Sequence, residues 1–401
     1  MADVVMKPAA PVEVTVLPII LAVSFSHMLN DIMQSMIAAI YPMLKADYNL
    51  DFWQIGFLTL AFQCTASLLQ PVVGIVTDKK PYPYSLPVGM ASTLFGLVLL
   101  ATAHDYSMLV LAASLVGVGS AVFHPESSRV ARLASGGRYG FAQSVFQVGG
   151  NLGTAIGPLL AAFIIVPRGQ GSVAWFCLAA ILGIIVLGRV AAWYKAHMAA
   201  NAGKKKKAHA HSLPRQTVVL ALVVLVVLTF SKNVYMASIG SYYTFFVIER
   251  FGVSVQESQI LLFVFLGASA LGTVIGGPIG DRFGSKVVIW FSILGVLPFT
   301  LAMPFANLPV TIALSAVIGF IMASSFPAII VMAQELVPGR VGMIAGIFFG
   351  FAFGMGGIAA AVLGLLADRH GISTVYTICA FLPALGLLTV FLPSKRLLRV
   401  A

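Results

Sequence analysis

Several polar side chains lie inside stretches of this sequence that are otherwise apolar, at spacings that put them on common helix faces. His27, Asn30, Asp31 and Gln34 fall at i, i+3, i+4 and i+7, one face of a helix. His124-Pro125-Glu126 is followed by Arg129; Gln143, Gln147 and Asn151 recur at i, i+4 and i+8; Ser231-Lys232 precedes Tyr235 and the pair Tyr242-Tyr243. An ionisable group deep in an apolar medium costs about 2.5–3.5 kcal/mol on insertion scales, so such residues are expected around a cavity. Basic groups there (Lys232, Arg129, His27, His124) outnumber the acids Asp31 and Glu126. Ammonium and guanidinium groups suit phosphate-like or carboxylate anions. A carboxylate taken out of water favours its neutral acid and so can carry a proton. The chemistry on offer is therefore anion binding coupled to proton movement, with Asp31 and Glu126 as carriers and His27 and His124 as rivals for that role.

Each group also has a plainer reading. Glutamine and asparagine can simply tie helices together, Glu126 and Arg129 at i, i+3 can form a structural ion pair, and Tyr242 and Tyr243 can belong to an interfacial aromatic belt. Asp31 and Lys232 are harder to explain away. They fall at equivalent depths in the two halves defined below, and neither has an opposite charge nearby in its own helix.

The elements that must position these residues are helices in lipid. Of the 401 residues 59% are hydrophobic and 9% charged, and the mean hydropathy is +0.99. A soluble domain carries about a quarter charged residues, so lipid is the expected solvent for most of the chain. Runs of roughly 20 apolar residues each suffice to span a bilayer. Twelve are expected, at 17–44, 53–77, 84–103, 106–134, 139–166, 172–196, 216–249, 255–280, 285–303, 308–336, 341–368 and 372–393. The expected organisation is a tail over 1–16, a six-helix half over 17–196, a basic linker over 197–215, a second half over 216–393 and a tail over 394–401.

The formal charge of +11 sits in alternate connections, which points to membrane topology and not to nucleic acid. With both termini inside, Lys79-Lys80, Arg138, Lys204-Lys205-Lys206-Lys207, Arg282, Lys286, Arg340 and Lys395-Arg396 all face the cytoplasm. The lysine run reads as a solvated anchor touching lipid headgroups, and His209 and His211 as loop residues. The first sixteen residues have no cleavage pattern and read as a cytoplasmic tail. Cys64, Cys177 and Cys379 read as free thiols; no metal-ligand spacing, cofactor loop or enzymatic nucleophile set is expected.

The halves repeat at an offset near 203 residues: Gly74, Asp78 and Lys79 recur as Gly277, Asp281 and Arg282, and Gly117, Pro125, Arg138 and Gly140 recur as Gly319, Pro327, Arg340 and Gly342. Parallel six-helix halves of this kind resemble the major facilitator superfamily, an all-α membrane fold with its substrate site between the halves. Gly277-x-x-x-Asp281-Arg282-Phe283-Gly284-x-Lys286 resembles that superfamily's loop signature, while the copy at Gly74–Lys80 is degenerate, with Pro81 and Pro83 after it. Gly149, Gly153 and Gly157 form a small-residue ladder in the fifth span, echoed by Gly342, Gly346, Gly350 and Gly354 in the eleventh, and both permit close helix packing. Gly153-x-x-x-Gly157-Pro158 also resembles the fifth-helix motif of drug/proton antiporters. Pro125 and Pro327 remove a helical amide at matched depth, so both helices are expected to bend there, turning His124 and Glu126 toward the cavity.

More specifically, Ser26-His-Met-Leu-Asn-Asp-Ile-Met-Gln34, Phe123-His-Pro-Glu-Ser-Ser-Arg-Val-Ala-Arg132, Ser144-Val-Phe-Gln-Val-Gly-Gly-Asn151, and the segments 235–245 and 348–357 resemble the fosmidomycin-resistance efflux proteins. The resemblance implies export of fosmidomycin-like drugs, which carry a phosphonate and a hydroxamate, across a bacterial inner membrane against inward proton flow, by a monomer. His27, Asn30, His124, Arg129, Gln147, Asn151, Lys232, Tyr235 and Tyr242 are then the expected substrate contacts. Pro125, Asp78, Gly277, Asp281, Arg282, Gly153 and Gly157 are the expected conformational residues. Uptake of an organic acid or sugar phosphate by a symporter of the same fold stays open.

Overall fold

The computed structural model describes residues 14–50, 52–201, 213–253, 255–395 and 397, and among these no strand occurs. The expected tail before residue 14, Lys204–Lys207, His209, His211 and Arg396 lie outside the described residues. Among the described residues eleven helices are long and apolar enough to cross a membrane. They follow α1 (Leu17–Ala39) and, in chain order, are α2 (Phe57–Lys79), α3 (Ser85–Thr102), α4 (Tyr106–Ala134), α5 (Tyr139–Arg168), α6 (Gln170–Ala200), α7 (Arg215–Phe251), α8 (Ile260–Phe283), α9 (Ser285–Phe305), α10 (Leu308–Leu336), α11 (Val341–Ala367) and α12 (Ile372–Phe391). The polar face of α1, with His27, Asn30, Asp31 and Gln34, dilutes its apolar character and sets it apart from the other eleven. With it, the described residues supply the twelve long helices, six per half, that the repeat requires.

Two departures from the expected spans share one physical reason. The first span ends at Ala39, not residue 44, and the chain resumes as a short helix, Tyr41–Asp47. Pro42 cannot donate to Ala38, and its ring crowds that carbonyl. In α10 the helix is interrupted at Ser324, between Ala323 and Ser325, where Pro327 projects on to the carbonyl four residues earlier. α4, in contrast, runs as one helix from Tyr106 to Ala134 over Pro125, so the prolines at matched positions do not act alike. The repeat extends to the caps: Asp105 accepts from the amide of Met108 at 2.9 Å and Asn307 from that of Val310 at 3.1 Å, starting the fourth helix of each half.

Glycines decide how closely the helices approach. A Cβ built on Gly149, Gly153 or Gly157 would strike the α1 backbone or side chains at Ser24, Met28, Ile32 and Ser35. The fifth-helix ladder thus seats α1 against α5, and Ser24 Oγ donates to the carbonyl of Val145 at 2.5 Å across the same seam. In α11, Gly342, Gly346 and Gly350 lie against α2 at Gly74, Gln70 and Ser67, whereas the space beside Gly354 is open. The ladder there is three residues long, one fewer than the spacing predicts.

The halves meet at two related places. Gly140 of α5 faces the backbone of Gly277 in α8, and Gly74 of α2 faces that of Gly342 in α11. At each place an aspartate closes the joint. Asp281 accepts from the amides of Gly140 and Phe141, both at 2.8 Å, and Asp78 from those of Gly342 at 3.0 Å and Met343 at 2.7 Å. A carboxylate on the first amides of a helix satisfies groups with no intrahelical partner and complements the positive end of the helix dipole. The first-half copy of the loop motif, expected to be the weaker because of its altered sequence, makes the same contacts as the second.

Candidate functional site

Between the halves lies a cavity of about 190 Å³ lined by His27, Asp31, Gln147, Gly150, Asn151, Thr154, Lys232, Asn233, Phe326, Phe349 and Ala352. One pole is built by α1, α4 and α5. Asp31 accepts from Asn30 Nδ2 at 3.1 Å, Gln34 Nε2 at 3.3 Å and Thr154 Oγ1 at 3.4 Å. Two imidazoles also converge on it: His27 Nε2 lies 3.4 Å from Oδ2 and His124 Nε2 3.8 Å from Oδ1. Their other nitrogens are fixed by backbone carbonyls, His27 Nδ1 on Phe146 at 2.8 Å and His124 Nδ1 on Ser120 at 3.0 Å. A carbonyl only accepts, so both Nδ1 atoms carry the proton and a neutral ring presents Nε2 to Asp31 as an acceptor. Stacking of His27 on Phe146 at 4.1 Å and the edge of His124 against His27 at 5.0 Å hold the rings in place. Gly150 provides the room, since a Cβ there would fall on the His27 ring and lie 3.0 Å from Asp31 Oδ2.

The other pole belongs to α7 and α10. Lys232 is 8% exposed, with its ammonium 4.7 Å from the Phe326 ring centroid. No carboxylate pairs with it among the described residues, so its charge is held by an aromatic face and the cavity. Asn151, reaching across from α5, donates to Thr273 Oγ1 of α8 at 3.2 Å, and Gln147 lines the space between the poles.

Of the expected substrate contacts, His27, Gln147, Asn151 and Lys232 line this cavity, while Asn30 and His124 back it through Asp31. Arg129 does not reach it. Its guanidinium is 2.5 Å from Asp78 and 3.2 Å from Glu126, and it also donates to the carbonyl and hydroxyl of Thr77 at 2.6 and 2.9 Å. Glu126, 1% exposed, has the plainer role of partner to Arg129, and it accepts from Ser85 at 3.3 Å. Residues two apart on a helix face nearly opposite directions, so α4 cannot turn both His124 and Glu126 into one cavity. Tyr235 is fully buried in the second half's core with Tyr376 and Cys379, and Tyr242 turns its hydroxyl toward Gly364 of α11. Tyr243 is buried, donating to Ser315 at 3.2 Å, and so is no interfacial belt residue.

Some contributors went unrecognised in the sequence. Asn233 follows Lys232 directly, and Thr154 extends the Gln143, Gln147, Asn151 face by a turn, so both were within reach of spacing arguments. Phe326, Phe349 and Ala352 carry no signal that separates a cavity wall from a core. Gln143 instead joins a hydrogen-bonded thread between the halves. It accepts from Ser128 at 3.0 Å, Ser128 accepts from Gln334 at 3.1 Å, and Gln334 accepts from Arg132 at 3.3 Å.

Comparison with known proteins agrees with this architecture. The Major Facilitator Superfamily matches residues 23–255 and 225–399. The chain is 62% identical to the Fosmidomycin resistance protein of Escherichia coli (strain K12) over 375 residues, covering 94% of this chain and 92% of that protein. It is 42% identical to the MFS-type transporter YfnC of Bacillus subtilis (strain 168) over 388 residues, covering 96% and 95%. Its fold is similar to the crystal structure of the transporter FucP in the outward conformation, with a TM-score of 0.72 at 17% identity over 94% of this chain and 98% of that one. The chain belongs to the Major Facilitator Superfamily, and the resemblance read from segments such as 26–34 and 123–132 holds over nearly its whole length.

Proposed function

We propose that this member of the Major Facilitator Superfamily exports small anionic drugs of the fosmidomycin type across a bacterial inner membrane, in exchange for protons, by alternating access. The observation that carries the reading is the two-pole cavity: an ammonium with no carboxylate partner among the described residues at one end, and acceptors converging on Asp31 at the other. Lys232 attracts the phosphonate by charge-assisted contact, with Gln147, Asn151 and Asn233 offering amide donors along the molecule. Two imidazole acceptors facing one carboxylate repel until a cation lies among them, and a proton meets that need. Asp31, His27 and His124 therefore form the proton site in this reading. The high identity to a protein named for fosmidomycin resistance supports the substrate class.

Both termini are cytoplasmic in this reading, which puts Lys79, Arg138, Arg282, Lys286 and Arg340 on that side and accounts for the charge bias. The aspartate-capped joints at Gly74–Gly342 and Gly140–Gly277 then close the cytoplasmic end, and opening inward requires releasing both. The protein acts as a monomer, each copy holding a complete cavity. Accumulation of labelled fosmidomycin in cells with and without the protein, before and after the proton gradient is collapsed, tests the proposal. Lower accumulation that disappears with the gradient is the expected result. Equal accumulation in both strains, or protein-dependent uptake, overturns it.

A further inference from the structure

The donors at the Asp31 pole have a second property, which depends on geometry alone. We infer that His27, Asp31 and His124 form a binding site for a divalent transition-metal ion, with an open coordination position facing the cavity. The three ligand atoms lie within 4.8 Å of one another. Zinc bonds to imidazole nitrogen and carboxylate oxygen are about 2.0–2.2 Å, which puts tetrahedral neighbours about 3.3 Å apart. His27 Nε2 lies 3.4 Å from Asp31 Oδ2 and His124 Nε2 3.8 Å from Oδ1, so the rings approach the carboxylate on its two oxygens, and small side-chain rotations would draw the set in around an ion.

The surrounding groups are those a metal ligand set requires. A metal-bound histidine donates its other ring N–H to a carbonyl or carboxylate, which fixes its tautomer and orientation. Both rings do so here, on Phe146 and Ser120. The ligating carboxylate should itself be hydrogen-bonded, and Asp31 accepts from Asn30, Gln34 and Thr154. Two imidazoles and one carboxylate select zinc, cobalt, nickel or copper over magnesium or calcium, which prefer all-oxygen sets. The cavity bordered by His27 and Asp31 provides the entry path.

Three protein ligands leave a fourth position open, as in metal sites that bind small molecules. The volume beyond it holds Lys232, so the complementary ligand is a chelating oxyanion such as a hydroxamate. A molecule with a hydroxamate at one end and a phosphonate at the other engages both poles. That last step rests on the export reading; metal binding itself does not.

The test uses purified, tag-free full-length protein in detergent, titrated with Co2+. The expected result is the intense visible absorption of a four-coordinate nitrogen–oxygen site, displaced by Zn2+, with a Zn2+-dependent rise in Tm. His27→Gln and His124→Gln should each weaken Co2+ binding at least about tenfold, the loss usual for disturbed metal sites, while Gly354→Ala, outside the cavity, binds Co2+ as the wild type does. Acetohydroxamate should shift the wild-type band. No band and no Tm rise in the wild type overturn the site without reference to any variant's folding. A band that persists in both histidine variants overturns the ligand assignment, and a band indifferent to acetohydroxamate overturns the open position. Metal binding without drug export would leave this inference standing and remove the proposed function; export without metal binding would do the reverse.

Discussion

Asp78 and Asp281 do one task from opposite halves: each carboxylate holds two amides in the first turn of a helix that belongs to the other half. Asp78 does more, because the same carboxylate also receives Arg129 at 2.5 Å. The two joints therefore differ in strength although they are related by the repeat.

Asp78→Asn and Asp281→Asn should each release their end of the molecule. A capping interaction is worth about 1 kcal/mol, with the helix-dipole term included in that range, enough to shift a two-state population about fivefold. Asp78→Asn should have the larger effect. With the native cysteines replaced, a cysteine at Ser144, buried beneath the Gly140–Gly277 joint, reads the opening through its rate of maleimide labelling. Unchanged labelling in both variants would show that the caps do not hold the joint closed.

Lys232→Gln should weaken fosmidomycin binding by about 1.5–3 kcal/mol, the range for a hydrogen bond to a charged group. The variant should keep its Tm, because no described carboxylate is left stranded when the ammonium goes. Equilibrium binding to purified protein separates the two readouts. A lower Tm with unchanged affinity would reassign Lys232 to packing.

Arg129→Met should do the opposite. Removing the guanidinium strands Asp78 and Glu126 in a buried setting, and breaking such a pair costs about 3–5 kcal/mol. Yield and Tm should fall while the surviving folded protein binds substrate normally. Replacing Glu126 by Gln in the same chain should recover part of the loss, since one stranded charge is removed. Weaker binding at full stability would return Arg129 to the cavity.

Gly153→Ala tests the seam under Asp31. Its Cβ would strike the carbonyl of Met28 and come 2.9 Å from Asp31 Cβ, and overpacking of this kind costs about 1–3 kcal/mol. Transport and Tm should both drop. Gly354→Ala in α11, where the neighbouring space is open, is the matched control and should be silent. Equal behaviour of the two variants would remove the close-packing role of Gly153.

Much of this was legible in the sequence because lipid imposes simple rules. Long apolar runs gave the helices, and a constant offset gave the two halves down to the paired aspartates. The spacing of His27, Asn30, Asp31 and Gln34 identified a polar face. Periodicity along one helix, however, cannot say which other helix meets that face. Nothing in α4 alone tells that Arg129 finds Asp78 of α2, or that His124 meets Asp31 of α1 while Glu126 turns away. The i, i+2 spacing of His124 and Glu126 did carry that second warning. The unlike behaviour of Pro125 and Pro327 was out of reach, because whether a helix tolerates a proline depends on its neighbours.

The four glycines at the joints, Gly74, Gly140, Gly277 and Gly342, also bear on how a gene for this protein can drift. At Gly74, Gly140 and Gly277 the first atom met is backbone across the interface, and at Gly342 it is the Arg129 guanidinium, which Asp78 already holds in place. Any missense change in a glycine codon brings a Cβ, so even alanine acts as a wedge there. In a mutagenised library, these codons should stay nearly invariant among survivors of drug selection, while the codon for Gly354 varies.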